Sequence, residues 1–274
     1  MLLYKDEYQC WLENAVEDDL HSLLRKMSQE EIEDAFYKNL AFGTGGLRGT
    51  IGAGTNRMNV YTVAKASQGL ADYLVKKFSR PSVVIGFDSR IKSDVFARTA
   101  ASVFAANGVL THLWPHLNPV PTVSFAVRYL SASAGIMITA SHNPSKYNGY
   151  KVYGEDGCQI TTKTAAEILG EIEKLDIFID VKRLDFDAAV SEGKITYISE
   201  DVLTAFVENV KNQSVLFGEK VNRDAAIVYS PLNGTGLIPV TRTLKEMGYT
   251  NITLVEEQRL PDGAFPTCPY PNPE

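Results

Sequence analysis

One hydroxyl group in this sequence stands where α/β enzymes often place a nucleophile. Ser141 follows residues 135–139, an apolar run typical of a short buried strand, and it is followed directly by His142 and Asn143. The ends of such strands carry ligand-binding loops. A polar turn, in which Ser141 and Asn143 only satisfy nearby backbone groups, explains the position equally well.

Acyl transfer at Ser141 is disfavoured. The nucleophile elbow of hydrolases needs G-x-S-x-G, and residues 140–143 lack both glycines. His142 is also a poor general base for Ser141, because the side chains of adjacent residues meet only in a special geometry. A serine phosphatase or hydrolase is therefore a low-ranking alternative.

Phosphoryl transfer fits the residues around Ser141 better. It needs an acceptor hydroxyl, fixed positive groups around the phosphoryl oxygens and a group that moves the hydroxyl proton. Arg48 lies in a glycine-rich segment, Arg90 follows an apolar run, and Lys151 lies on the strand just after the serine. A single Lys or Arg is usually a solvated surface charge, but three of them around one hydroxyl indicate a phosphate site.

Nucleotide binding and a protein-made metal site are not indicated. The glycine-rich segment 42–49 does not complete G-x-G-x-x-G, and no G-x-x-x-x-G-K-[ST] occurs. His112 and His116 read as strand and loop residues. The acidic pair Asp185 and Asp187 reads as a helix start. The sequence therefore predicts no cage of side chains for a cation.

Composition narrows the class of protein. The chain has 274 residues, 45% hydrophobic and 22% charged, which is typical of a globular protein, and its net charge is -6. That charge gives no sequence-wide positive field, so no nucleic-acid partner is predicted. Three widely spaced cysteines fit a reducing compartment, and no apolar run reaches the roughly 18 residues of a membrane span. We expect a soluble, cytoplasmic protein without a membrane partner.

The elements that must position these residues alternate between helix and strand. Residues 6–40 have helical spacing of apolar side chains, with a capping box that begins at Ser28. The glycine-rich segment 42–49 is predicted to be a loop. Strand 82–86 is followed by a helix that Ser93 is expected to cap, and then by another strand. This order predicts a parallel crossover unit and an α/β fold.

A weak internal repeat in the order of elements suggests two domains of similar fold. Residues 83–114 and 225–255 both read as strand, helix, glycine-containing stop and strand. A linking helix is predicted between them at residues 198–211. The Asp-Gly pair at 156–157 predicts a hairpin return from the strand at 150–153.

Four segments together resemble the α-D-phosphohexomutase family, to which phosphoglucomutases and phosphomannomutases belong. The serine motif T-A-S-H-N-P is highly specific, and the other three are moderately so. The four segments are 42–49, 86–90, 139–144 with 148–151, and 230–236. The helical extension at the front, with residues 265–267 and 271–274, looks most like the phosphoglucomutase branch, which includes phosphopentomutase relatives.

The resemblance implies an α/β fold in which helices sandwich a mixed sheet. It implies three regions: a helical N-terminal extension over residues 1–40, a complete first domain with the phosphoserine loop over 41–198, and a linker helix with an incomplete second domain over 199–274.

The resemblance also implies an activity, the reversible transfer of a phosphoryl group between the 1- and 6-positions of a hexose through a phosphoserine and a bisphosphate intermediate. Ser141 matches the phosphoserine, and Mg²⁺ would bind through its phosphate. His142 and Lys151 match the proton-moving residues, and hexose 1,6-bisphosphate would be the activator. The expected contacts to phosphoryl oxygens are Arg48, Thr44, Gly45, Arg90 and Asn143.

One part of the family pattern is expected beyond this sequence. Three aspartates of a D-x-D-x-D loop hold the Mg²⁺ in the family and should follow residues 271–274, where the sequence ends. We therefore expect an N-terminal portion of a sugar-phosphate mutase that is inactive by itself. A noncatalytic phosphate-binding module is an alternative. Within the family glucose phosphates are the expected substrates, with mannose and pentose phosphates as alternatives, and the oligomeric state stays open.

Overall fold

The computed structural model describes residues 3–268. Its helices are α1 (Leu3–Asn14), α2 (Asp18–Leu24), α3 (Gln29–Phe36), α4 (Val60–Lys77), α5 (Ser93–Ala106), α6 (Val120–Tyr129), α7 (Thr162–Ile172), α8 (Phe186–Ser191), α9 (Glu200–Lys211) and α10 (Leu237–Glu246). Its strands are β1 (Phe42–Gly43), β2 (Gly46–Thr50), β3 (Ser82–Phe87), β4 (Leu110–Leu113), β5 (Ala134–Ile138), β6 (Tyr147–Tyr153), β7 (Ile195–Tyr197), β8 (Ile227–Tyr229) and β9 (Ile252–Leu254).

Strands β1 to β7 form one large mixed sheet in the order β1-β2-β6-β5-β3-β4-β7. Strands β5, β3, β4 and β7 are parallel, whereas β6 pairs antiparallel with both β5 and β2. Apolar side chains alternate between the faces of β3: Val83 and Ile85 pack into one core cluster, and Val84 packs into the other. Helices α5 and α6 contact β3 from opposite sides. The predicted α/β class, with a mixed sheet between helices, is confirmed.

The N-terminal extension forms three short helices, where the sequence predicted two, the second beginning at the capping box of Ser28. Helix α3 begins with the predicted capping box, since Ser28 Oγ accepts from the Glu31 amide and the Glu31 carboxylate accepts from the Ser28 amide. The helices are held to α4 and to the loop after α7 by Trp11, which is fully buried. Its ring meets Tyr61 and Phe178 edge to face at centroid distances of 5.3 and 5.5 Å.

Two local predictions are wrong. The glycine-rich segment 42–49 is the hairpin β1–β2, because Leu47 lies opposite Tyr150 and the hairpin joins the edge of the large sheet. Ser93 does not cap α5: the preceding Lys92 has a φ of 61° and its side chain makes no cap. The Ser93 hydroxyl donates to Asp88 Oδ1 at 2.7 Å instead, because that carboxylate competes for it.

Residues 227–268, which we call the second unit, repeat the strand, helix, strand order of β3, α5 and β4. Strands β8 and β9 are parallel and α10 connects them, so the predicted internal repeat of strand, helix and strand is confirmed. Helix α9, the predicted linking helix, packs against α6 of the large sheet and against α10. The expected motif at residues 271–274 lies outside the described residues. Among helices of the described chain, none is both long and apolar enough to cross a membrane.

Candidate functional site

Ser141 lies on the loop that joins β5 to β6, residues 139–146, which we call the serine loop. Its backbone is left-handed, with a φ of 56°, and its side chain is exposed. The Ser141 amide donates to Thr139 Oγ1 at 2.9 Å, which fixes the turn. A non-glycine residue rarely adopts this conformation, and where it does the surrounding structure must hold it there. The serine hydroxyl is therefore presented on a constrained corner at the end of a buried strand.

His142 does meet Ser141, contrary to the expectation for adjacent side chains. Ser141 Oγ and His142 Nδ1 are 3.4 Å apart, near the upper end of hydrogen-bond distances. The left-handed backbone at Ser141 provides the special geometry that the sequence does not reveal. An imidazole at this distance can take a proton from the hydroxyl after a small adjustment.

Arg48 and Lys151 come from two neighbouring strands. Arg48 on β2 lies opposite Gly149 on β6, and Lys151 is two residues further along β6, on the same face. The Thr139 amide, at the start of the serine loop, donates to the Gly149 carbonyl at 3.1 Å. Both predicted cations therefore lie on strands that adjoin the serine loop.

Burial sets the proton affinity of Lys151. Its pKa is lowered from the ordinary value of a lysine, mainly because burial disfavours the charged ammonium and next because Arg48 repels it, while Asp88 acts in the opposite direction. A lysine with a lowered pKa exchanges its proton more readily near neutral pH. This environment suits a proton-moving group better than a solvated surface charge.

Arg90 has a different role from the predicted phosphate contact. It is 3% exposed, and its guanidinium donates four hydrogen bonds to backbone carbonyls. The remaining Nε lies 3.5 Å from Asp88 Oδ2. The guanidinium is occupied by the chain itself and fixes the path of the serine loop. The four carbonyls are those of Ser141 (2.7 Å), Asn143 (2.6 Å), Pro144 (3.1 Å) and Tyr147 (3.0 Å).

Sequence reasoning missed a buried polar network beneath this loop. Asp88 accepts from the Arg90 amide and from Ser93 Oγ, and Thr139 also bonds to it. Burial raises the pKa of Asp88 despite these bonds and despite the Arg90 charge. Asn148, fully buried, donates to Ser93 Oγ at 3.0 Å. The sequence did contain a signal for this network: Asp88 follows an apolar strand directly and precedes Arg90 by two residues.

The other predicted phosphate contacts lie apart from this network. Thr44 and Gly45 form the exposed turn of the β1–β2 hairpin. Because Leu47 pairs with Tyr150 and Thr50 with Tyr147, that turn lies toward the Lys151 end of β6, whereas the serine loop enters at the Tyr147 end. Contact of this turn with phosphate stays a prediction.

Asn143 lies on the serine loop itself. Its Oδ1 is buried and has no hydrogen-bond partner among residues 3–268. A buried acceptor without a partner is costly, so it can accept from a donor that arrives with a ligand.

The side chains present do not fit a divalent cation by themselves. Within the described range, no group of three or more His, Cys, Asp or Glu side chains could hold a metal ion. Ser141 offers a single hydroxyl, whereas Mg²⁺ prefers several oxygen ligands in octahedral geometry.

Comparisons with known proteins point to one family. The family model of phosphoglucomutase/phosphomannomutase alpha/beta/alpha domain I matches residues 39–177, and that of domain II matches residues 204–274. A phosphoglucomutase of Staphylococcus saprophyticus is 39% identical over 264 residues, which are 96% of this chain and 47% of that protein. The chain spans about half the length of the curated relatives it matches.

Solved structures agree on the fold. A phosphoglucomutase/phosphomannomutase family protein of Burkholderia thailandensis superposes with a TM-score of 0.63 at 22% identity, covering 82% of this chain and 45% of that one. The Paramecium phosphoglucomutase parafusin, in its open form, gives a TM-score of 0.60 at 15% identity and covers 86% and 47%. With both domain models matched in order along the sequence, the chain belongs to the phosphoglucomutase/phosphomannomutase family.

Proposed function

We propose that this chain carries the phosphoryl-accepting serine of a phosphosugar mutase that interconverts hexose 1-phosphate and hexose 6-phosphate. The observation that carries the proposal is the exposed hydroxyl of Ser141 on a left-handed corner that Arg90 clamps through four carbonyls. An acceptor fixed in this way loses little orientational freedom when a phosphate ester approaches in line. The family membership supports the same reaction class.

Each side chain has a definite task in the proposed reaction. Ser141 Oγ forms a bond to phosphorus while the bond between phosphorus and the sugar oxygen breaks. The hydroxyl proton passes to a base, for which His142 Nδ1 at 3.4 Å and the amine of Lys151, whose pKa burial lowers, are the candidates. The protonated base then gives this proton to the departing sugar oxygen, so one hydroxyl group is lost and one is formed. Arg48 supplies positive charge for the phosphoryl oxygens.

The relatives and the composition of the chain support a substrate and a cellular compartment. Phosphoglucomutases are the curated relatives, so we propose glucose phosphates over mannose or pentose phosphates. A hexose 1,6-bisphosphate would be the phosphoryl donor to Ser141. A requirement for Mg²⁺ is proposed from the family resemblance, with its further ligands outside the described residues. The three widely spaced cysteines support a reducing, cytoplasmic setting.

The test is phosphorylation of the chain by labelled glucose 1,6-bisphosphate in the presence of MgCl₂, followed by mass spectrometry of the peptide that contains residues 139–146. We expect label on Ser141 only, no label in Ser141→Ala, and retained label in the matched variant Ser145→Ala. A coupled assay from glucose 1-phosphate to glucose 6-phosphate is expected to stay at background for this chain alone.

Two results would count against the proposal. Label distributed over other serines would remove Ser141 from the acceptor role. Saturable phosphate binding without any transfer would favour the second candidate, a noncatalytic phosphate-binding module. The observation that favours such a module is the buried Oδ1 of Asn143, which has no partner among residues 3–268 and would pair with a ligand's donor without requiring chemistry.

A further inference from the structure

The second unit directly contacts Arg90 and its neighbours, the residues that hold the serine loop; we call Arg90 the clamp. Segment 262–268 of the second unit lies against residues 89–91, where Gly263 and Phe265 make the contact. A Cβ atom on Gly263 would stand 2.6 Å from the Ile91 amide nitrogen and 2.7 Å from the Ser89 carbonyl oxygen. Real Cβ atoms do not approach backbone so closely, so only glycine lets the two segments meet in this way.

The ring of Phe265 covers the guanidinium that holds the serine loop. The ring centroid is 5.2 Å from Arg90 Cζ, within the range of a cation–π contact, and Phe265 is buried. Its backbone is left-handed, with a φ of 51°, which is unfavourable for an aromatic residue. A conformation of this kind persists only where the surrounding contacts enforce it.

Asn233, which belongs to the second unit, makes the hydrogen bonds that hold the segment around Phe265 in place. It is 4% exposed and lies in the loop that precedes α10. Its Oδ1 accepts from Thr267 Oγ1 at 2.9 Å, its Nδ2 donates to the Leu260 carbonyl at 2.9 Å, and its own carbonyl accepts from the Asp262 amide at 2.9 Å. The segment that presents Phe265 is thus anchored on both sides.

We propose that Phe265 and Gly263 are positioning residues, through which the seating of the second unit sets the geometry of Ser141. The connection is continuous: Asn233 holds segment 262–268, Phe265 packs on the Arg90 guanidinium, and Arg90 holds the carbonyls of the serine loop. A shift of the second unit withdraws the ring, leaves one face of the guanidinium open to water and weakens its grip on those carbonyls. The importance for catalysis rests on the proposed function, but the coupling itself does not.

Backbone hydrogen exchange measures the coupling without any phosphoryl transfer. The amides of Ser141, Asn143 and Tyr147 donate within the serine loop and report its local opening. In Phe265→Leu we expect these amides to exchange roughly threefold to tenfold faster. This is the fold-change that corresponds to the free energy of a partly desolvated cation–π contact. Gly263→Ala should give an increase of the same order, since the added Cβ separates the two segments.

Two further variants make the result specific. Phe265→Tyr keeps a ring over the guanidinium and should exchange within about twofold of the original protein. Phe206→Leu removes an aromatic side chain that packs on Phe125 at 5.6 Å, away from the clamp, and should leave the serine loop unchanged. The proposal is overturned if segment 262–268 opens in Phe265→Leu and Gly263→Ala while the serine-loop amides keep their rates. It is equally overturned if exchange rises uniformly over β3 and β5, which is loss of stability and not coupling.

Discussion

Replacing Arg90 by lysine should lower the free energy of unfolding by about 3 kcal/mol and loosen the serine loop. The guanidinium donates four hydrogen bonds of 2.6–3.1 Å to carbonyls that diverge along the loop. Lysine places its three donors on one nitrogen, so it cannot serve both pairs of carbonyls and leaves about two of them unpartnered. A hydrogen bond to a charged group contributes roughly 1.5–3 kcal/mol, and water at the exposed side of the loop restores part of that loss.

Urea unfolding of Arg90→Lys, followed by circular dichroism and extrapolated linearly to zero denaturant, measures this effect. Arg259→Lys is the matched control, because the Arg259 side chain is 42% exposed and pairs with Glu256 at 3.2 Å on the surface. Its change should stay within about 0.5 kcal/mol. If Arg90→Lys costs less than about 1 kcal/mol, the four bonds do not clamp the loop and the reasoning fails.

Two further predictions follow from the strands around the site. Burial, and next the charge of Arg48, lower the pKa of Lys151, so amine labelling followed by mass spectrometry should modify Lys151 at a lower pH than solvated lysines. Arg48→Gln should move the labelling profile of Lys151 toward higher pH. An unchanged profile in this variant would contradict the effect of Arg48 on that pKa. Gly46→Ala should destabilise the chain by more than about 2 kcal/mol in urea unfolding, since Gly46 has a φ of 74° and its Cβ would lie 1.8 Å from the Tyr150 carbonyl oxygen, whereas Gly43→Ala, with open space around it, should change stability by less than about 1 kcal/mol.

The sign of the lysine effect also predicts how stability depends on pH. The folded-state pKa of Lys151 lies below its unfolded value, so the unfolded chain binds more protons between the two values. The contribution of Lys151 to stability therefore rises with pH through that window. Lys151→Met should flatten this part of the stability profile, and an unaltered slope would count against the lowered pKa.

The sequence was sufficient wherever local patterns determine the structure. The apolar run before Ser141, the glycine-containing stop after the helix within residues 83–114, and the capping box at Ser28 all depend on neighbours within a few residues. The similar order of elements in the second unit was visible for the same reason. Local turn chemistry and apolar periodicity encode such features directly.

Long-range pairing explains what the sequence did not reveal. The hairpin β1–β2 exists because β6 accepts it as a neighbour, and the glycines around Arg48 favour a loop when read alone. Arg90 after a strand looks like a ligand contact until the path of the serine loop turns four carbonyls toward it. The polar network of Asp88 and Asn148 likewise requires knowledge of which strands meet.

The aromatic contact between Trp11 and Phe178 has a consequence for biosynthesis. The two rings belong to one cluster, but strands β1 to β6 all lie between them along the chain. At translation rates of roughly 5–20 residues per second, Phe178 is made about 8 to 33 seconds after Trp11. During that interval α1 and α3 have no completed surface to cover their apolar faces. Helices α1 and α3 therefore reach their final aromatic packing only after residues far along the chain have been made.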